Sequence, residues 1–173
     1  ALAGRLILRE PVPARTWLAM AVAFGGIVVM FADSLDGGRR AGNLLALAGW
    51  IALALSPPSR RWTPRVWQLT GLGLPLLLAL GYVALLMGHW GPGGFGSLAE
   101  VRQLFERPGL LAAGWLHYLA FDLFVGTWIA RNAARRGLAH AAVLPCLALT
   151  FMFGPAGLLA YAAMAFIHRR LAQ

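Results

Sequence analysis

Long apolar runs, broken by short clusters of Arg, Pro and Gly, set the pattern of this chain. The runs lack the strict alternation of a half-buried strand, and several approach the ~20 residues a helix needs to cross a hydrocarbon core. With ends marked by those clusters, five helical spans are predicted over Trp17–Ala32, Gly42–Leu55, Val66–Met87, Leu110–Ile129 and Ala142–Ile167. The second is short, and must borrow length from its flanks, thin the bilayer locally or pack inside the bundle. The expected fold is all-α, a polytopic transmembrane helical bundle.

The last run would be about 39 Å long at ~1.5 Å per residue, against a hydrocarbon core of about 30 Å. Gly154-Pro155 sits near its middle, and a proline there removes the amide that would bond the carbonyl of Phe151, so a kinked, tilted span is expected. The other arrangement is a re-entrant pair of half-helices, which would return Arg169 and Arg170 to the side from which the run started. Non-helical backbone at that depth survives only against protein or a water-filled cavity, so a re-entrant pair would itself mark a site. The longest connection, Gly88–Gly109, holds "GPGGFGS" followed by "LAEVRQLFERPG". Ser97 can cap a helix with Glu100 three residues on, and Leu98, Val101, Leu104 and Phe105 then share one face, as in a short interfacial amphipathic helix. The glycines do not form a phosphate-binding loop, because the G-x-x-x-x-G-K-[ST] spacing is missing and the chain has no lysine.

Composition agrees with a membrane protein: 60% of residues are hydrophobic and 12% charged. The net charge of +9 comes from arginines gathered at the ends of apolar runs, without the basic stripe that nucleic acid would require. Counted in alternate loops, Arg5, Arg9, Arg15, Arg60, Arg61, Arg65, Arg131, Arg135 and Arg136 face Arg39, Arg40, Arg102, Arg107, Arg169 and Arg170. The positive-inside rule then makes the first side cytoplasmic, with the N-terminus inside and the C-terminus outside a bacterial inner membrane. The sole cysteine, Cys146, excludes an internal disulfide, and no zinc, haem, nucleotide or dinucleotide signature is present, so neither metal nor cofactor is expected. The first run ends in "FADSLDGG", unlike a signal-peptide cleavage site, and the missing initiator methionine is what a fragment would show.

Two resemblances meet in the chain. "LILREPVPARTWLAMAVAFGGIVVMFADS" resembles part of an EamA-type repeat of drug/metabolite transporters, so residues 1–42 read as an EamA-like transmembrane helix and linker, a fusion or a fragment. From about Asn43 the stretches "NLLALAGWIALALSP", "GGFGSLAEVRQLFERPGLLAAGWLHYLAFDLFVGTWIARNAARRG" and "VLPCLALTFMFGPAGLLAY" resemble the abscisic-acid-deficient-4-like membrane proteins, whose plant members are required to form neoxanthin from violaxanthin. That resemblance implies a four-helix membrane domain over 43–173 that binds or isomerises a carotenoid or other isoprenoid lipid. The other functions to weigh are a transporter fragment and a non-catalytic membrane scaffold.

Asp122 lies in the middle of "HYLAFDLFVG". A carboxylate at a helix centre costs about 2.5–3.5 kcal/mol on insertion scales, so Asp122 should face the bundle. Tyr118 precedes it by one turn on the same face, Trp115 continues that stripe, and Gly126 follows at i+4, where a backbone or ligand can approach closely. His117 falls about 140° around the helix and does not make a ready pair with it. Asp122 is then either a buried acceptor tied to a neighbouring span, or an intramembrane acid/base or ligand-binding group. The family resemblance gives the second reading a concrete form. Converting a carotenoid epoxide to an allene needs an acid at the epoxide oxygen and removal of a carbon-bound proton, without a redox cofactor. Asp122, then His117, then Tyr118 are the candidate catalytic groups. Trp115, Phe121, Gly126 and Thr150 are candidate ligand contacts, with Phe124, Trp128 and Cys146 nearby. The aromatic residues read equally as an interfacial belt, and Thr150 and Cys146 as packing.

Overall fold

The computed structural model describes residues 39–171. The first expected span, Trp17–Ala32, and the EamA-like stretch lie outside the described residues. Six helices follow: α1 Arg39–Ala54, α2 Thr63–His89, α3 Leu98–Phe105, α4 Pro108–Arg135, α5 His140–Phe153 and α6 Pro155–Leu171. Helices stand where the apolar pattern put the three middle spans, each a little longer, and of these only α2 and α4 have the length and apolarity of a span. Prolines suit the first turn, where an amide has no helical partner, and α2, α4 and α6 all begin with one: Pro64, Pro108 and Pro155. The α3 helix starts as expected, with Ser97 Oγ accepting from the Glu100 amide at 3.2 Å and Glu100 Oε2 accepting from the Gly96 amide at 3.2 Å.

Helix α2 widens to a π-turn over Leu69–Gly73, where the Leu74 amide bonds to the Leu69 carbonyl. Pro75 accounts for the widening, since it cannot donate to the carbonyl of Gly71 and its ring crowds that turn. Thr70, inside the turn, is fully buried and meets Thr127 of α4, with the two hydroxyls 2.8 Å apart.

Contacts fix the direction of each helix. Gly42, Gly49 and Trp50 of α1 lie against Leu116, Leu123 and Gly126 of α4, so these helices run parallel. Gly81 and Gly71 of α2 meet Leu116 and Thr127, so α2 runs antiparallel to them. Helix α5 begins beside the end of α1, where His140 Nε2 donates to the Ala54 carbonyl at 2.8 Å, and descends until Phe151 reaches Tyr118. Helix α6 then climbs back along α4 until Tyr161 meets Asn132.

Ala142–Ile167 is therefore not the single kinked span that was expected. It is a helical hairpin that reverses at Gly154, near the middle of α4, and both of its open ends lie beside Arg135 and Arg136. This overturns the placement of the C-terminal arginines on the opposite side. Gly154 makes the reversal feasible with φ +45° and ψ −97°, backbone angles that side-chain-bearing residues rarely adopt. Among the described residues Arg60, Arg61, Arg65, Arg131, Arg135, Arg136, Arg169 and Arg170 gather at one end of the bundle. Arg39, Arg40, Arg102 and Arg107 lie at the other, with Glu100 and Glu106.

Two helices among those described, α2 and α4, are long and apolar enough to cross a membrane. Their apolar surface is not used up in packing: on α2, Leu72, Leu76, Leu80 and Met87 are exposed, the last two at 69% and 79%. A continuous apolar face of this size is untenable in water and ordinary in lipid. The core lies between α1, α4, α5 and α6, around Trp50, Leu123, Ile129, Leu147, Phe151 and Tyr161.

Candidate functional site at the hairpin tip

The site arises because the proline at 155 cannot extend α5. The Phe151 carbonyl, which loses its helical donor there, accepts instead from the Tyr118 phenol of α4 at 3.2 Å. A cross-helix bond thus replaces the missing one, and it holds the hairpin tip at the level of Tyr118 and Asp122. The tip also presses on Asp122 directly, since a methyl group at Gly154 would lie 2.9 Å from Asp122 Oδ1. Only glycine combines that approach with the required backbone angles.

Asp122 Oδ2 is buried and has no hydrogen-bond partner among the described residues. The Tyr118 phenol, one turn before Asp122 on α4, gives its one proton to the Phe151 carbonyl and leaves Oδ2 without a donor. Trp115 stacks on Tyr118 with ring centroids 5.4 Å apart and 24° between planes, and its Nε1 donates to Asn43 Oδ1 of α1 at 2.7 Å. The Asn43–Trp115–Tyr118 chain fixes the phenol that fixes the tip. On the core side, Trp50 tilts against Phe151 at 5.4 Å and fills the notch left by Gly126. Its Nε1 is a second buried polar atom lacking a hydrogen-bond partner among the described residues.

The structure thus brings Asp122, Tyr118 and Trp115 together and leaves other candidates elsewhere. His117 is on a different face, stacked on Phe121 at 4.6 Å and tilted against Tyr82 at 5.4 Å. Phe121 is largely exposed. Gly126 receives the Trp50 ring, and Thr150 is fully buried, its hydroxyl donating to the Cys146 carbonyl at 2.8 Å. Asn43 and Trp50 were not singled out from the sequence, because both belong to tertiary pairing; Gly154-Pro155 reads there as a kink or a reversal, without its approach to Asp122.

Outside the two spans, at the open end of the hairpin, burial holds the His140 imidazole below its ordinary range, an effect its bond to the Ala54 carbonyl offsets in part. Among the described residues no group of three His, Cys, Asp or Glu side chains could hold a metal ion.

A family model described as ABA DEFICIENT 4-like matches residues 40–161, most of the chain. The chain belongs to the ABA DEFICIENT 4-like family. No curated protein and no solved structure matches it. In this ABA DEFICIENT 4-like chain every residue that shapes the tip, from Asn43 to Gly154, falls inside the matched stretch. Membership and the exposed apolar helices together support a membrane protein. Chemically, a carboxyl, a phenol and an indole meet near the middle of α4, groups that can exchange or hold a proton.

Proposed function

We propose that this ABA DEFICIENT 4-like protein binds an isoprenoid or carotenoid-type lipid against the hairpin tip and isomerises it with Asp122 as the proton-exchanging group. The observation that carries the reading is the buried, unpartnered Oδ2 of Asp122 beside broken backbone. A purely structural carboxyl would be expected to have both oxygens satisfied, because an unmet buried polar atom costs about 1–3 kcal/mol. In the reaction the neutral carboxyl gives its proton to an epoxide oxygen as the carbon–oxygen bond breaks. The Asp122 carboxylate then takes up a carbon-bound proton as the C–H electron pair forms the new double bond, which restores the neutral carboxyl, so that protons balance and no redox partner is required. Burial of a carboxyl favours the neutral form this step needs. Tyr118 orients the carboxyl and Trp115 offers a flat wall to a polyene. The arginine-rich end, with the open ends of the hairpin, faces the cytoplasm of a bacterial inner membrane.

The test is expression of the full chain in a carotenoid-producing host, comparing extracted pigments by chromatography and mass with those of Asp122→Asn at matched protein abundance. A new or retained pigment that disappears with Asp122→Asn supports the reading. Unchanged pigments in both forms at equal abundance reject it. A variant that fails to accumulate assigns the carboxyl a structural role and rejects the catalytic one.

A further inference from the structure

A second site lies at the opposite end of α6 from the hairpin tip. A cavity of about 250 Å³ opens there between α4 and α6, lined by Trp128, Asn132, Arg136, Tyr161, Phe166 and Arg169 among others. Two guanidinium groups therefore border one small space. No described carboxylate lies at this end of the bundle: Glu100 and Glu106 are at the other end and Asp122 is at mid-helix. Two like charges around one cavity repel each other unless an anion sits between them.

Surface arginines are usually solvated anchors, but Arg136 is held in place. Asn132 Oδ1 accepts from Arg136 Nε at 2.7 Å and from the Tyr161 phenol at 2.6 Å, so one amide oxygen ties the guanidinium to both helices. That bond engages Nε of a guanidinium that borders the cavity. The Tyr161 ring is braced in turn by Trp128, edge-to-face at 5.9 Å. Phe166, on the same wall, lies under the Arg170 guanidinium at 5.1 Å. Charged donors and an aromatic wall thus converge where the spans end, the depth of lipid head groups.

The geometry points to a site for a membrane lipid with an anionic phosphate head group, held between Arg136 and Arg169, its chain leaving past Trp128 and Leu158. Guanidinium forks match phosphate oxygens in pairs, so two of them discriminate a phosphate from an uncharged head group. The cavity is below the roughly 300–1,000 Å³ of sites that enclose a whole drug-sized ligand, which fits a head group whose tail stays in the bilayer. Basic pockets between spans are a recognised setting for such head groups. This site shares no residue with the hairpin tip, and although both need α6 to turn back along α4, its lipid-retention test is read separately from the pigment test.

The test is native mass spectrometry of the full chain released from detergent micelles, with phosphatidic acid or diacylglycerol of the same acyl chains at equal mole fraction. Phosphatidic acid should be retained over diacylglycerol, and the Arg136→Gln/Arg169→Gln pair should reduce its retention by about tenfold or more. Arg60→Gln/Arg61→Gln removes the same charge from the same end outside the cavity, and should leave retention unchanged. Arg136→Lys keeps the charge without the fork and should fall between wild type and the double variant. Equal losses from both double variants would mean general surface attraction and overturn the assignment. Displacement of phosphatidic acid by inorganic phosphate at equal concentration would also overturn it, in favour of a soluble anion.

Discussion

The hairpin depends most on Gly157, which lets the start of α6 lie on Thr150 of α5. A methyl group at 157 would run into the Thr150 hydroxyl and into its backbone nitrogen and Cα. Backbone atoms in mid-helix have no rotamer to escape into, so Gly157→Ala must push α6 away from α5. Overpacking of this kind costs about 1–3 kcal/mol. The displacement should also loosen the Tyr118 bond to the Phe151 carbonyl, worth about 0.5–1.5 kcal/mol net, bringing the loss to roughly 2–4 kcal/mol. Gly88 provides the comparison, because a Cβ there meets nothing within 4 Å and it lies in the last turn of α2. Gly88→Ala should be neutral or stabilising by up to about 1 kcal/mol. Unfolding both variants from mild detergent by titration with a denaturing detergent, followed by circular dichroism, measures the difference. If Gly157→Ala unfolds together with Gly88→Ala, α5 and α6 do not make the contact described and the hairpin account is refuted.

Tyr118→Phe removes the donor to the Phe151 carbonyl and should cost about 0.5–1.5 kcal/mol in the same titration; no loss would mean that the phenol does not hold the tip. His140, whose pKa in the fold lies below its ordinary 6.5, resists protonation when buried. The unfolded chain therefore takes up more protons as pH falls, so the stability contributed by neutral His140 is complete above the unfolded pKa and is lost as pH falls toward the folded one. Melting from about pH 8 to about pH 5 should show a decline that His140→Asn makes shallower, and parallel wild-type and variant curves would contradict this.

Much of the helix layout was legible because it is set locally. Apolar length and the prolines at 64 and 108 bracketed α2 and α4, and Ser97 with Glu100 announced α3. The fate of the last run was not legible. Helix α5 is apolar all round, so its periodicity names no face, and Gly154-Pro155 suits a kink as well as a reversal. What decides is tertiary: the Tyr118 phenol replaces the donor Pro155 lacks, and Gly157 gives α6 room to return. Asp122 stood out because an intramembrane carboxylate is costly, and its link to Tyr118 followed from i−4 spacing. Its other neighbour, Gly154, is 32 residues away in sequence, with no local pattern joining them. The Asn132, Arg136 and Tyr161 cluster was hidden for the same reason, as Tyr161 reaches Asn132 only because α6 turns back.

The reversal at Gly154 is the feature on which both sites depend, and the sidedness of the residues around it tests it most directly. In a Cys146→Ala background, single cysteines at Arg135, Arg170 and Glu106 can be labelled with a membrane-impermeant maleimide in intact and in opened cells. Arg135→Cys and Arg170→Cys should react from the same side of the membrane, and Glu106→Cys from the opposite side. Reaction of Arg170→Cys from the side of Glu106→Cys would mean that Ala142–Ile167 crosses the bilayer once, and would contradict the hairpin and the sites built on it.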